Sequence, residues 1–233
     1  MNNLQKTGGI SALIEALIYL AGMVFFLLIV DYSAVTDPLD KVALLVDNQA
    51  ALYFMNLLIY VMFGVFLIIL ALALHERLKA GSPALMQVGT ALALIWAGLV
   101  IASGMVANIG TAVVVNLYNT DPAQASTVWL AIEAVADGVG GGNEIVGGLW
   151  TLLVSWAALR SGEFSRVLNY LGLVVGVAGV ASAIPAFAEI GGMIFGLGQL
   201  VWFAWIGIAM LRDRAPAAAE NPDASAPRYR TSS

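Results

Sequence analysis

Long apolar runs broken by short polar segments recur from one end of this chain to the other. They cover residues 10–30, 50–74, 85–115, 127–159, 167–187 and 190–211. Each reaches the roughly 20 residues that a helix needs to cross a hydrocarbon layer about 30 Å thick. The pattern predicts an all-α fold, a polytopic membrane helix bundle with six transmembrane helices. Basic residues alternate with the runs. Lys6, then Arg77 and Lys79, then Arg160 and Arg166, then Arg212, Arg214, Arg228 and Arg230 fall at the termini and in every second break, leaving Lys41 alone on the other side. Because lysine and arginine are retained on the cytoplasmic side, this spacing predicts an N-in and C-in topology. Residues 1–211 form one transmembrane domain in this reading. Residues 212–233 are rich in Pro, Ala, Ser and charge and have little to bury, so a disordered cytoplasmic tail is expected there. The first run is longer than a signal-peptide core and carries Glu15, which favours an uncleaved first helix.

Two polar breaks share a local signal. Thr36-Asp37-Pro38 and Thr120-Asp121-Pro122 each precede an amphipathic stretch, and each is expected to start a short external cap helix. Aspartate accepts otherwise orphaned backbone N–H bonds, and proline at the first helical position gives up a donor that has no partner there. Each stretch leads into an apolar helix that ends near a Gly-containing loop, Leu78-Lys79-Ala80-Gly81 or Leu159-Arg160-Ser161-Gly162. The order suggests a weak tandem repeat of a hairpin.

Composition narrows the chemistry. With 61% hydrophobic and 11% charged residues, the chain is far from a soluble domain, in which roughly a quarter of residues are charged. The lipid bilayer is the expected partner, and no basic patch suggests nucleic acid. The absence of cysteine excludes disulfides, thiolate metal sites and cysteine nucleophiles. The single histidine, His75, sits at a cytoplasmic helix end, where a solvated, dipole-complementing role is expected. With no phosphate loop or dinucleotide fingerprint, no catalytic residue, cofactor or metal site is expected.

The polar residues inside the runs carry the functional expectation, because a carboxylate at a helix centre costs about 2.5–3.5 kcal/mol on insertion scales. Glu133, Asp137, Glu144, Thr151 and Ser155 recur at spacings of four, seven, seven and four. On one straight helix they form a stripe within a roughly 40° wedge. Gly138, Gly140, Gly141, Gly142, Gly147 and Gly148 interrupt that helix and favour a bend. A bend leaves Glu133 and Asp137 on a solvated cap helix and starts the spanning helix near Asn143. Glu144 stays in the membrane region in both readings. Asn143 and Glu144, with Asn56 and Asn108, then line an outward-facing polar cavity for a small solute or cation, with Glu133 and Asp137 contributing. Asn56, Asn108 and Gln199 equally suit bonds between packed helices. Glu15 is expected to be hydrated or paired with Lys6 or the Arg77 loop. Gly172-x-x-x-Gly176 and Gly192-x-x-x-Gly196 predict close packing of the fifth and sixth helices and allow a homo-oligomer. Trp129, Trp150, Trp156, Trp202 and Trp205 suit belt or packing positions.

Gln5-Lys6-Thr7-Gly8-Gly9-Ile10, Asn143-Glu144-Ile145-Val146-Gly147-Gly148-Leu149-Trp150 and Gly196-Leu197-Gly198-Gln199-Leu200-Val201-Trp202 give the chain a family likeness. It resembles a bacterial multi-helix membrane family known as domain of unknown function 4386, over roughly residues 5–212. The resemblance implies a six-helix fold in a bacterial plasma (inner) membrane and transfers no mechanism. Function therefore divides between a protein that binds or moves a small solute or cation and a non-transporting sensor, scaffold or assembly partner.

Overall fold

The computed structural model describes residues 3–140 and 144–212, and among them the chain is helical with no strand. Helix α1 (Asn3–Val24) runs on through a π-helical stretch, Phe25–Ile29. A short 3₁₀ turn, Tyr32–Ala34, leads to α2 (Pro38–Asp47). Then come α3 (Gln49–Asn56), a second π-helical stretch (Leu57–Met62) and α4 (Phe63–Leu78). The chain continues as α5 (Pro83–Tyr118), α6 (Pro122–Gly140), α7 (Ile145–Ser161), α8 (Arg166–Ala181), a 3₁₀ turn (Pro185–Phe187) and α9 (Ala188–Arg212). Asn143 and residues 213–233, the expected tail, lie outside the described residues.

Local chemistry accounts for the ends. Asp37 caps α2 by accepting from the Leu39 and Asp40 N–H groups at 2.8 and 3.3 Å. Asp121 accepts from Gln124 at 2.9 Å at the start of α6. Both expected cap helices therefore begin where the Thr-Asp-Pro signals stand. Gly162, at φ +70°, takes the left-handed conformation that closes α7.

Among the described residues, four helical segments are long and apolar enough to cross a membrane: Asn3–Ile29, Gln49–Leu78, Pro83–Tyr118 and Pro185–Arg212. Their outward residues, among them Leu17, Leu28, Ile95, Ile109 and Met193, are exposed and apolar, as a lipid-facing surface must be. α8 is a shorter apolar helix. Neighbours in sequence are neighbours in space: α1 packs on α4, α4 on α5, α5 on α7, α7 on α8 and α8 on α9, and α9 returns to α1. The result is a closed ring. Its middle is filled by aromatic side chains, with Trp96, Trp150 and Trp202 in sequence at centroid distances of 5.7 and 5.6 Å. Phe63 joins Trp96 to Tyr19, at 5.6 Å from each. Trp150 and Trp202 are fully buried, which makes them core residues rather than belt residues.

One end of the ring carries Arg77, Arg160 and Arg212 in last turns. There Arg77 pairs with Glu163 at 2.8 Å and lies over the Phe164 ring, tying the end of α4 to the loop between α7 and α8. His75 is not simply solvated: its Nδ1 lies 2.8 Å from the Thr90 hydroxyl. The opposite end carries a cap. α5 has 36 residues, which at about 1.5 Å per residue makes it roughly 54 Å long and far longer than a hydrocarbon layer. Its surplus length supports α2 and α6, which pack on it and on each other. Phe25, Val42, Leu45, Leu52, Val114, Ala125 and Trp129 form a second, separate core there.

Of the two readings of the fourth apolar run, the bent one describes the structure: Glu144, between α6 and α7, is non-helical at φ −107° and ψ 32°, so no straight stripe joins Glu133 to Ser155. Two expectations need correction. The fifth run ends early: α8 stops at Ala181, and the apolar residues after it form the turn into α9. Gly172 and Gly176 pack mainly on Ser155, Leu152 and Gly148 of α7, with Trp202 of α9 also beside Gly172, while Gly192 and Gly196 face open space. The small residues of α8 therefore serve the α7–α8 contact more than the contact with α9.

Candidate functional site

The cap closes over the ring through one hydrogen-bonded cluster. The 3₁₀ turn after α1 presents Tyr32, whose hydroxyl donates to Glu133 Oε1 at 2.7 Å and accepts from Trp129 Nε1 at 2.8 Å. Lys41 on α2 reaches the same Glu133 oxygen at 3.0 Å and lies 5.0 Å from the centre of the Tyr32 ring. Trp129 and Glu133 are both on α6, four residues apart, so one helical face holds the indole and the carboxylate together. Glu133 is thus part-buried and neutralised by a lysine from another helix, contrary to the expectation of a freely solvated side chain.

Beneath this cluster lies a cavity of about 240 Å³. Its polar walls include Tyr32, Asn56, Tyr60, Thr111, Glu133 and Asp137, and Phe26, Leu45, Leu52 and Trp129 are among the rest. Asn56 donates to Asn108 Oδ1 at 3.0 Å, and Asn108 donates to the Tyr53 carbonyl at 3.4 Å. Asn56 therefore faces the cavity while Asn108 stands behind it and fixes its orientation. Asp137 is exposed at the rim and has no hydrogen-bond or ion-pair partner among the described residues.

Partial desolvation on the cavity side, with Glu133 adding to it, raises the Asp137 pKa above its ordinary 3.8, while Lys41 pulls it down. Burial first, and the bond to Glu133 second, raise the Tyr32 phenol, which stays a hydroxyl donor. For Asp137 the folded chain holds its proton at pH values where the unfolded chain has lost it. Stability from this group is therefore greatest below 3.8 and falls as pH rises through the window up to the raised value. Because the side chain is exposed, solvent screening keeps the effect small. Asp137→Asn is expected to flatten this part of the melting temperature against pH curve, as thermal melts across the acid range will show. An unchanged slope would mean that Asp137 titrates as in water.

Glu144 opens into a different cavity. It precedes α7, where its N–H donates to Ser182 Oγ at 3.1 Å and its carbonyl accepts from Gly148 at 2.8 Å. The backbone is held between α7 and α8, and the carboxyl group reaches into a space of about 400 Å³. That space is lined by apolar residues of α1, α4 and α5 and by Tyr19 and Tyr60. The structure so brings Asn56, Asn108, Glu133 and Asp137 together and sets Glu144 apart from them. Phe26 and Tyr60 line both cavities. Both stand on the π-helical stretches, features that recur at functional sites because they re-aim side chains within a helix.

Nothing in the sequence singles out Tyr32, Tyr19 or Tyr60, and Lys41 stands out there by its side of the membrane and its place on a polar helix face. The isolated lysine on the polar face of an amphipathic helix was the available signal for a partner.

The description "Domain of unknown function (DUF4386)" matches this chain over residues 10–209. No curated protein and no solved structure matches it.

Proposed function

The chain belongs to the DUF4386 family, and on that footing we propose that it is a membrane protein that binds a small cation, inorganic or organic, in the cavity under its cap. The observation that carries this reading is Asp137, a carboxylate without a hydrogen-bond or ion-pair partner among the described residues, at the rim of a cavity that already contains Glu133. Among the described residues at this cavity, two carboxylates against the ammonium of Lys41 leave one net negative charge when all three are ionised. Tyr32, Tyr60, Phe26 and Trp129 add aromatic faces, which attract cations through their quadrupoles. Asn56 supplies its amide oxygen to a bound cation, its nitrogen being given to Asn108.

In this proposal α1, α3 with α4, α5, α7, α8 and α9 are six spans, with both termini cytoplasmic and the cap outside. Ring closure supports it, since α7 and α8 lie beside helices long enough to cross. So does the placement of Arg77, Arg160 and Arg212 at one end and Lys41 at the other. A bacterial plasma membrane is the setting that fits.

The test is thermal melting of the purified protein with a panel of mono- and divalent metal ions and small organic ammonium ions. A ligand at about 100 times its Kd stabilises the folded state by about 2.7 kcal/mol. Wild type is expected to shift with at least one cation, and Asp137→Asn to lose that shift while melting normally without ligand. If no cation shifts the wild type, the reading fails and the alternative gains: a non-transporting sensor or assembly partner. The open surface of α9 at Gly192 and Gly196 favours that second reading.

A further inference from the structure

Glu15 lies midway along α1, fully buried, and neither of its oxygens has a hydrogen-bond partner among the described residues. α4 and α9 pack against α1, and their titratable or charged residues sit far from this level: His75, Glu76, Arg77 and Arg212 at one end, Glu189 at the other. An ionised carboxylate here would be an unpaired buried charge, so the neutral acid is the form this packing accommodates. Packing alone would be served by leucine. One turn along the same helix face stands Tyr19. Tyr19 and Glu144 line the larger cavity, and Tyr60 lines that cavity and the one under the cap. Tyr60 thus shares one cavity wall with Glu144 and the other with Asp137.

From this succession we infer that Glu15 is the buried end of a proton path that enters at Asp137 and passes Tyr60, Glu144 and Tyr19. Carboxyl and phenol groups alternate along it. Exchange at Glu15 runs both ways along it. Glu15 gives its proton to Tyr19 as each group outward passes one on, until one proton reaches water at the cap. A proton from water then returns through the same groups, so that Glu15 ends as the neutral acid it began. The cavities have room for water where two groups stand beyond direct reach, and Tyr19, Tyr60 and Glu144 supply the polar partners such water needs. The phenols of Tyr19 and Tyr60 are the links. The inference rests on the cap cavity being open to water, not on its binding a cation.

Infrared spectroscopy of the full chain in lipid tests it, without any added cation. The wild type is expected to show a carboxylic acid band that Glu15→Gln removes and that shifts on transfer to deuterated water. Tyr19→Phe and Tyr60→Phe should each slow this shift about tenfold, a barrier increase of about 1.4 kcal/mol. Tyr53→Phe, on the exposed surface, should leave it unchanged. Two different tyrosines are used so that misfolding of one variant still leaves a reading. Unchanged exchange in the folded variants, or no acid band belonging to Glu15, would overturn the path. Loss of the cation response with these exchange effects intact would overturn only the cation site.

Discussion

Gly148→Ala is expected to remove about 1–3 kcal/mol of stability, and Gly148→Leu to prevent α7 and α8 from packing at all. A Cβ at Gly148 would stand 2.7 Å from the Gly176 carbonyl oxygen, 2.7 Å from the Val180 nitrogen and 3.0 Å from the Gly179 carbonyl carbon. All three neighbours are backbone, so no side chain can swing aside; the helices themselves must separate. Separation also disturbs Glu144, whose carbonyl lies 3.0 Å from the Cβ position of Gly179. Van der Waals contact between small residues is what holds helices together in lipid, where no hydrophobic force draws them together. Gly192→Ala serves as the control, because nothing lies within 4 Å of its Cβ position. It should be neutral, or stabilising by up to about 1 kcal/mol through helix preference. Melting in a mild detergent, followed by tryptophan fluorescence, checks both. A Gly148→Ala protein that melts with the wild type would refute the close contact of α7 with α8.

The second large effect is expected at Tyr32. Removing its hydroxyl takes the donor from Glu133 and the acceptor from the buried Trp129 indole. A buried group left without its partner costs about 1–3 kcal/mol, so Tyr32→Phe should cost about 2–3 kcal/mol although its ring still packs. The loss should be local. The cap core is separate from the ring core, so amide hydrogen exchange should quicken in α2 and α6 while α4 and α9 keep their protection. Uniform loss of protection would mean that cap and ring form one cooperative unit. No change anywhere would mean that Lys41 alone holds Glu133.

The helices were legible because hydropathy repeats at membrane length, and the cap helices because Asp37 and Asp121 carry their own capping chemistry. The break in the fourth run was legible as a choice, since glycines from Gly138 onward weaken a helix without saying where it stops. The end of α8 was not legible. Ile184, Pro185 and Phe187 are as apolar as the helix before them, and hydropathy does not register a turn made of such residues. Gly172 and Gly176 announced a close approach, but spacing along one helix names no partner, and α7 proved to be the main one. The site was harder still. Asn56, Asn108, Glu133 and Asp137 stood out because polar groups in apolar runs are costly. Their grouping, however, depends on contacts such as Lys41 with Glu133, 92 residues apart, which no local period encodes. The apolar run places Glu15 one to two turns above the cytoplasmic end, within reach of water, Lys6 or the Arg77 loop. The ring instead buries it, with α4 and α9 packed on its helix.

Isothermal titration of the full chain with tetramethylammonium, in wild type and in Asp137→Asn, tests the central claim most directly, since it reads occupancy of the cap cavity rather than a consequence of it. The account predicts saturable binding to the wild type at one site per chain and loss of that binding in Asp137→Asn, with both proteins melting alike in the absence of the ion. Equal binding by the two proteins would contradict it, and would show that the carboxylate at the cavity rim does not hold the cation.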